Sequence, residues 1–435
     1  MIFEKERIET VCYQTILEKW QASINTFPNF LTPVSAEEQR KNEYFLSHHI
    51  QKFQKLLKTY KNPCIPKFLW RKRWNALINS LLFKEPVIGI ADTFSAETLN
   101  DMQHEFYQFF QSASAFDEVM GMEEIGQAAR NYLVYDVFTE IHELPHTMNP
   151  AIFGYSMLYP YTDNYIDNPA LSFEEKERYN QMIADRIIGK PIDIQDKYYQ
   201  KTCDLLDSVT HFYEKEEKSD IQTGLLFMLD AQKKSLSQTR HEGQTLLTED
   251  EIFRISSYKG GISVLIDRFY VPSKITPEDF IFYLSYGFFL QLADDLQDIT
   301  EDRNTMRQTL FTIGSLDSND TTKAKKHHEE TLNKLFHYLH TMMNEYPMHS
   351  IKLKSFIEKN CYLLLIYSAY LSGENFSPKY LQQFIPYMPV SLPFIQNIKE
   401  TFAPYITDPA LKNIISDGMN TSDIQFQNKS YARQT

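Results

Sequence analysis

Long segments whose apolar residues recur every three or four positions dominate this sequence, and that spacing marks one face of an α-helix. From residue 95 onward these segments follow one another, and no alternating run of convincing strand length interrupts them. The segments are residues 96–116, 123–144, 173–188, 197–215, 219–237, 248–269, 277–302, 318–344, 351–371, 378–384 and 395–402. The pattern predicts an all-α fold.

Composition supports this prediction. Only 13 of the 435 residues are glycine, whereas 14% are aromatic. The phosphate loops of nucleotide-binding α/β folds and the turns of all-β folds need glycine, so both classes are disfavoured. A chain of this length with so many bulky rings can bury a large core.

Charge and cysteine usage restrict the partners and the compartment. The formal charge of −13 gives no broad attraction to nucleic-acid phosphates, so we expect no nucleic-acid partner. Residues 1–20 lack the apolar core of a signal peptide, and the apolar stretches 280–293 and 361–371 are shorter than a membrane helix of about 20 residues. Scattered cysteines fit a reduced protein; they are Cys12, Cys64, Cys203 and Cys361. We expect a soluble, cytoplasmic protein without a transmembrane segment.

The chain divides into three predicted parts. Residues 1–90 are polar amphipathic helices interrupted by prolines, which we interpret as an N-terminal helical extension. Residues 91–410 form one helical domain, since no linker demands a second. Residues 411–435 form a polar C-terminal tail.

The most informative stretch is residues 287–302, which predict a helix with four carboxylates on one stripe. At 100° per residue, Asp294, Asp298 and Asp302 lie within about 80° of one another, and Glu301 falls beside Asp294. Toward the N-terminus the stripe becomes largely apolar. The acids are therefore expected at the rim of an apolar surface.

Two interpretations of this stripe are open. It could be a solvated acidic face, but such faces normally interleave Lys or Arg, and none occurs between Asp294 and Asp302. Carboxylates clustered toward an interior instead require cations. Mg²⁺ prefers oxygen ligands and completes its shell with water and substrate phosphates. The second interpretation therefore predicts magnesium and a phosphorylated ligand.

A second acidic pair lies far away in the sequence. Asp163 and Asp167 are four residues apart and share one face if this segment is helical. Pro160 and Pro169 flank the pair, and Asp or Asn beside proline is typical of a turn. Taken alone, the pair is compatible with either a helix or a turn.

Together the two motifs, about 130 residues apart, resemble those of the class I isoprenoid (terpenoid) synthase superfamily. Residues 287–302 are similar to the squalene and phytoene synthase pattern, which ends in Asp-x-x-Glu-Asp at Asp298 to Asp302, and Arg307 matches the arginine that follows it. The Asp163-x-x-x-Asp167 spacing looks like the same branch and its relatives, the bacterial large-terpene (class IB) synthases. Asp294-Asp295-x-x-Asp298 is similar to the motif of trans-prenyl diphosphate synthases.

The resemblance implies an antiparallel helical bundle around a central apolar cavity, with three Mg²⁺ ions that bind the diphosphate of a prenyl substrate. The implied metal ligands are Asp163, Asp167, Asp294, Asp295, Asp298, Glu301 and Asp302, of which all but Asp295 and Glu301 are assigned as catalytic. The implied basic groups for the diphosphate are Arg307, Lys259, Arg254 and Arg303. The candidate cavity-lining side chains are Tyr155, Tyr159, Tyr286 and Phe288. The resemblance also implies a helix break at residues 257–261 beside the diphosphate, and it is compatible with a homodimer.

Departures from the family patterns reduce the number of reaction types that the resemblance implies. The basic segments of chain-elongating synthases are absent after Asp167 and from the first 150 residues. Head-to-head condensing enzymes carry Asn where Asp294 stands and Arg where Gln297 stands. We therefore favour a one-substrate terpene synthase, a carbon–oxygen lyase that makes a cyclic or linear product. The alternatives are a squalene- or phytoene-type prenyltransferase and a noncatalytic helical binding protein.

Histidines give one competing motif. His142-Glu-Leu-Pro-His146 matches the zinc-peptidase string His-Glu-x-x-His, but Pro145 interrupts the helix that this site requires. We interpret the string as a helix terminus. The histidine pairs at 327–328 and 337–340 lie among polar residues and are expected at the surface.

Overall fold

The computed structural model describes residues 5–117, 120–166, 168, 170–192, 194, 196–213, 215–240, 243–316, 320–406 and 409–418. Within these ranges the chain forms eighteen α-helices and no strand, so the predicted all-α fold is confirmed. The helices are α1 (Lys5–Ala22), α2 (Ala36–Thr59), α3 (Lys67–Phe83), α4 (Ile90–Thr93), α5 (Ala96–Phe116), α6 (Met122–Ile141), α7 (Pro150–Ile166), α8 (Phe173–Ile187), α9 (Lys197–Thr210), α10 (Lys215–Ser235), α11 (Glu249–Tyr270), α12 (Pro277–Gln297), α13 (Ile299–Asn304), α14 (Thr321–Glu345), α15 (Ile351–Leu371), α16 (Pro378–Gln382), α17 (Leu392–Ile406) and α18 (Pro409–Gly418).

The periodic segments correspond closely to these helices, because local signals start them where the pattern begins. Thr248 and Glu251 form a reciprocal capping box at the start of α11, and Thr276 and Asp279 form another at the start of α12. Two differences matter for function. The segment 277–302 is divided at Asp298, and the segment left open around Asp163 is helical as α7.

The helices fall into two compact units. The first contains residues 1–34, 131–145 and 149–388, and its centre is the pair α11 and α12. Helices α1, α14 and α15 pack on α12, α10 packs on α11, and α7 packs on α9. All the described residues predicted for the site belong to this unit.

The turn between α11 and α12 is held by a buried ion pair. Arg268, which is completely buried, donates a 2.9 Å hydrogen bond from Nη2 to Oδ2 of Asp279. The same guanidinium donates to the carbonyl oxygens of Val271, Ser273 and Lys274. This connection keeps the two helices antiparallel neighbours, so the acidic end of α12 lies beside the first half of α11.

Glycines allow α11 and α12 to approach closely. A Cβ atom added at Gly287 would lie 2.0 Å from the backbone oxygen of Gly260, and one added at Gly260 would lie 2.6 Å from the oxygen of Gly287. No other residue type fits such a contact without moving a backbone. The expected helix break at 257–261 is wrong, because α11 runs through this segment without interruption.

The second unit contains residues 35–130, 146–148 and 389–435. Its core includes the stacked rings of Trp70 and Trp74, whose centroids are 5.1 Å apart. Arg71 and Lys67 on α3 pair with Asp417 at 2.5 Å and 3.1 Å. The boundaries predicted at residues 90 and 410 stay predictions, and most of the predicted tail, residues 419–435, lies outside the described residues.

A search of the described helices for membrane spans finds none with the required length and apolar character.

Candidate functional site

The acidic motif lies where α12 meets α13. Asp298 lies between the two helices, as the C-cap of α12 and the N-cap of α13, with φ −98° and ψ 9°. Its backbone N–H donates to the oxygen of Asp294 at 3.1 Å, and the N–H of Asp302 donates to the oxygen of Asp298 at 2.8 Å. These bonds continue the helical i to i−4 pattern across the junction. The four-residue spacing of the acids therefore survives the break.

The acids divide into an exposed and a buried set. Asp294, Asp298 and Glu301 are exposed, whereas Asp295 and Asp302 are only 5% and 7% exposed. Asp295 and Asp302 are seven residues apart, a separation that places both on the same side of the helical path. The acidic motif therefore combines exposed carboxylates with a buried pair of carboxyl groups, Asp295 and Asp302.

Asp295 has one unsatisfied oxygen. Its Oδ1 accepts a 2.8 Å hydrogen bond from Nε2 of Gln291, but its buried Oδ2 has no hydrogen-bond partner among the described residues. Buried carboxylate oxygens are normally hydrogen-bonded or bound to a cation. This atom therefore points to a missing proton donor or cation.

Burial and mutual repulsion raise the pKa values of three acids. Burial raises the pKa of Asp302 to about 8, and the charge of Asp295 adds to the shift. Burial likewise raises the pKa of Asp295 to about 7, with a contribution from Asp294. Desolvation raises the pKa of Asp298 to about 6, and the charges of Asp294 and Glu301 raise it further. The cluster holds more negative charge than its surroundings neutralise.

Asp163 brings the second motif to the same place. It is half-buried in α7, and its charge is among the causes that raise the pKa of Asp298. Since such coupling requires proximity, carboxylates from two helices that are distant in sequence share one electrostatic environment. Asp167, the other predicted member of this pair, lies outside the described residues.

Two of the four predicted basic groups lower the pKa values of the acids. Arg307 lowers the pKa of Asp295, Asp298 and Asp302, and its Nε lies 3.9 Å from Oδ1 of Asp302. Lys259, half-buried on α11, lowers the pKa of Asp295. The structure therefore brings Arg307 and Lys259 to the acidic cluster.

The other two predicted basic groups have partners outside the cluster. Arg254 donates from Nε to Oδ2 of Asp250 at 2.9 Å, and its guanidinium lies 3.6 Å from the ring centroid of Tyr13. Arg303 donates a long 3.5 Å hydrogen bond to Oδ1 of Asn375. Their assignment to the diphosphate stays a prediction that these contacts do not favour.

Two buried glutamines, Gln238 and Gln308, hold the segment that carries Arg307, and sequence reasoning missed them. Oε1 of Gln308 accepts a 2.6 Å bond from the N–H of Leu247, and its Nε2 donates to the oxygen of Gln238 at 3.2 Å. Arg307 itself forms an isolated β-bridge with Thr239. The sequence around Gln238 and Gln308 does not distinguish them from surface glutamines, because their contacts are with segments far away in the chain.

Magnesium fits the donor chemistry of this site. All the candidate ligands are carboxylate oxygens, and one buried oxygen lacks a partner. Among the described residues, however, no three His, Cys, Asp or Glu side chains are placed to hold one ion. Mg²⁺ usually takes one or two carboxylates and completes its shell with water and phosphate oxygens, so it does not require a preformed protein cage.

The predicted cavity-lining aromatics lie in different environments. Phe288 is fully buried against Trp20, and Tyr159 is 42% exposed. Tyr155 donates to the oxygen of Ser263 at 3.3 Å, whereas the hydroxyl of Tyr286 contacts Sγ of Cys361. The central apolar cavity stays a prediction.

A surface cavity of about 680 Å³ opens beside the loop that carries Arg307. Lys233, Thr239, Leu247 and Gln308 are part of its lining, which includes none of the seven predicted acids. Its mixed lining does not correspond to the apolar chamber that the resemblance implies.

The histidine motif, residues 142–146, follows the C-terminal end of α6. This helix stops at Ile141, Glu143 has a positive φ of 54°, and Nε2 of His142 lies 3.0 Å from the hydroxyl of Tyr283. The interpretation as a helix terminus is confirmed. The expectation that His328 lies at the surface is wrong: it is 1% exposed, and its Nδ1 bonds to the backbone oxygen of Asn375.

Comparisons of the chain with protein-family models, with curated proteins and with solved structures give no match in any of the three. The functional interpretation therefore depends on the arrangement of the acidic and basic side chains.

Proposed function

We propose that this protein is a Mg²⁺-dependent class I terpene synthase that ionises a linear prenyl diphosphate, releases pyrophosphate and forms a cyclic or linear terpene. The observation that carries the proposal is the electrostatic coupling of Asp163 on α7 with Asp298 at the end of α12. The proposed chemistry needs acidic motifs from two separate helices, and Asp163 of the first motif raises the pKa of Asp298 in the second.

The balance of charge supports a site that binds divalent metal ions together with a diphosphate. The described acids of the cluster outnumber Arg307 and Lys259, the two cations that act on it. A diphosphate alone would be repelled by these carboxylates, whereas divalent ions between the two sets of anions attract both. Bound Mg²⁺ would supply positive charge that stabilises the departing diphosphate.

The basic residues would act directly on the substrate. Arg307 and Lys259 would donate charge-assisted hydrogen bonds to diphosphate oxygens, which would stabilise the charge that develops as the carbon–oxygen bond breaks. Gln238 and Gln308 would act by positioning Arg307. The carboxylates would orient the ions. Because the acids lie at the C-terminal end of α12, the prenyl chain would extend along the helices.

Turnover assays distinguish this function from its alternatives. The full chain is incubated with Mg²⁺ and prenyl diphosphates of increasing length, and both pyrophosphate release and product mass are measured, with a chelator-treated sample as control. A product with the carbon count of the substrate supports the proposal. A product of doubled carbon count indicates a prenyltransferase, and no turnover at any length indicates a noncatalytic binding protein.

A further inference from the structure

A basic segment stands out in this acidic chain. Residues 44–84 contain nine Lys and Arg and no Asp or Glu, whereas the whole chain has a formal charge of −13. The segment comprises most of α2, the following turn and α3, and it lies entirely in the second unit. Its charge is opposite to that of the protein as a whole, so it can attract a partner that the rest of the surface repels.

The lysines of α2 face solvent. Lys52, Lys55 and Lys58 are exposed, whereas Phe53 and Leu56 on the other side of the helix belong to the core of this unit. Lys61 in the following turn is also exposed. The hydrophobic contacts of α2 therefore hold a row of cations outward.

The exposed face of α3 combines cations with apolar side chains. At 100° per residue, Phe68, Leu69, Lys72 and Arg73 fall within about 140° of one another. Phe68 is 58% exposed and Leu69 is 37% exposed, whereas Trp70 on the opposite face is 1% exposed. An exposed aromatic ring next to lysines is unusual on a surface that contacts only water, and such patches commonly mark interaction sites.

The exposed cations of this face differ in their partners from the cations on the flank of α3. Lys67 and Arg71 lie on the flank of α3 and pair with Asp417. No carboxylate of the described residues forms an ion pair with Lys72 or Arg73. The face that carries Phe68 and Leu69 therefore presents unpaired positive charge.

We propose that the exposed face of α3, together with the lysines of α2, docks the protein on an anionic lipid surface. Phe68 and Leu69 would enter the boundary between headgroups and acyl chains, and Lys72 and Arg73 would contact the anionic headgroups. Charge complementarity alone would also fit a nucleic acid. The two apolar residues that alternate with the cations on this face favour lipid, because Leu69 has neither a base-stacking ring nor a hydrogen-bonding group.

Vesicle sedimentation tests this inference with the full chain. The protein is mixed with vesicles of phosphatidylcholine, either pure or with one third phosphatidylserine. We expect binding to the anionic vesicles that weakens as salt is raised. Each cation near an anionic surface contributes about fivefold, so the double variant Lys72→Gln with Arg73→Gln should bind about 25-fold more weakly. The double variant Phe68→Ser with Leu69→Ser should lose about tenfold at equal charge.

A matched control separates local docking from net charge. Lys323 and Lys352 are exposed lysines of the first unit, and replacing both by Gln removes the same charge elsewhere. This variant should bind as tightly as the unchanged protein. Thermal unfolding of all variants checks that the fold is retained, which is expected because the substituted side chains are exposed.

Cys64 provides a second measurement. It is the exposed cysteine of the chain, since Cys12, Cys203 and Cys361 are buried, and it lies in the turn just before α3. A polarity-sensitive fluorophore attached to Cys64 should shift to shorter wavelength on anionic vesicles. The inference is overturned if the unchanged protein does not bind anionic vesicles, or if the Lys72/Arg73 and Lys323/Lys352 double variants lose binding equally. It is also overturned if the protein binds an RNA oligonucleotide through Lys72 and Arg73 but binds no vesicle.

Discussion

The Nε of Arg307 lies 3.9 Å from Oδ1 of Asp302, although no helix joins these two residues. The chain turns after α13 through Met306, whose φ is +57°, and the N–H of Arg307 donates to the oxygen of Asp302 at 2.7 Å. A positive φ is uncommon for a residue other than glycine, so the surrounding contacts must hold this turn. The turn aims one guanidinium at the acidic cluster.

Replacing Arg307 by Gln should lower pyrophosphate release at least about 100-fold, because the diphosphate would lose a charge-assisted donor as its negative charge grows. The assay measures initial rates with saturating Mg²⁺. Arg254 is the matched control, since it is paired with Asp250 and stacked on Tyr13. Arg254→Gln should stay within about twofold of the unchanged protein. Equal losses in both variants would contradict the placement of Arg307 as the diphosphate anchor.

The carboxylates of both motifs give a second prediction. Asp294→Asn and Asp298→Asn should each reduce pyrophosphate release at least about 100-fold, since an amide binds Mg²⁺ more weakly than a carboxylate. Asp163→Asn should do the same, because the proposed function assigns Asp163 of α7 to the metal site as well. Raising the Mg²⁺ concentration should partly restore these variants.

The control for these variants is Asp101→Asn, which changes an exposed acid of α5 in the second unit. It should leave turnover unchanged. If Asp294→Asn and Asp298→Asn both retain full turnover at limiting Mg²⁺, the acids do not bind the metal, whatever the protein catalyses.

A buried acid outside the cluster makes the stability depend on pH. Asp267 on α11 is 3% exposed, and burial raises its pKa well above the ordinary value, opposed only by a 3.4 Å hydrogen bond from Nδ2 of Asn131. The folded protein therefore binds this proton more tightly than the unfolded chain. The resulting stability is present at low pH and is lost as pH rises through the folded pKa.

Asp267→Asn removes that titration while keeping the shape of the protonated acid. We expect urea unfolding to show that the variant gains stability relative to the unchanged protein as pH rises. The free energy of unfolding of the variant minus that of the unchanged protein should be larger at pH 8 than at pH 5. Asp220→Asn, at an exposed position of α10, should show no such change. A constant difference between the two pH values for Asp267→Asn would mean that Asp267 is already ionised in the fold.

The sequence was sufficient for the helices because their signals are local. Apolar spacing and capping residues such as Thr248 and Thr276 depend on neighbours within four positions, and the segment 351–371 matches α15 at both ends. The break at Asp298 was not predicted, since the spacing of the acids is the same with or without it. α7 was left open because Pro160 lies inside it.

The site was predictable only where it depends on helix geometry. The grouping of Asp294, Asp298 and Asp302 follows from spacing, but the burial of Asp295 follows from which side of α12 meets its neighbours. Similarly, nothing local indicates that Arg254 contacts Tyr13 while Lys259 on the same helix acts on Asp295. Such choices are made by contacts between segments far apart in the chain.

The contact between α11 and α12 gives a prediction about stability. Gly287→Ala would place a Cβ atom 2.0 Å from the backbone oxygen of Gly260, so the helices must separate. We expect the free energy of unfolding to fall by about 3 kcal/mol or more, measured by urea titration. Separation of these helices would also move Lys259 away from Asp295, so pyrophosphate release should fall even at temperatures where the variant remains folded.

Gly126→Ala is the matched control, since Gly126 also lies within a helix and an added Cβ atom there meets nothing within 4 Å. Alanine is the better helix former by about 0.5–1 kcal/mol, so this variant should be as stable as the unchanged protein or slightly more stable. If Gly287→Ala were tolerated as well as Gly126→Ala, the two helices could not be packed backbone to backbone. The relation between Lys259 and the acidic cluster would then need a different explanation, because that relation depends on the close approach.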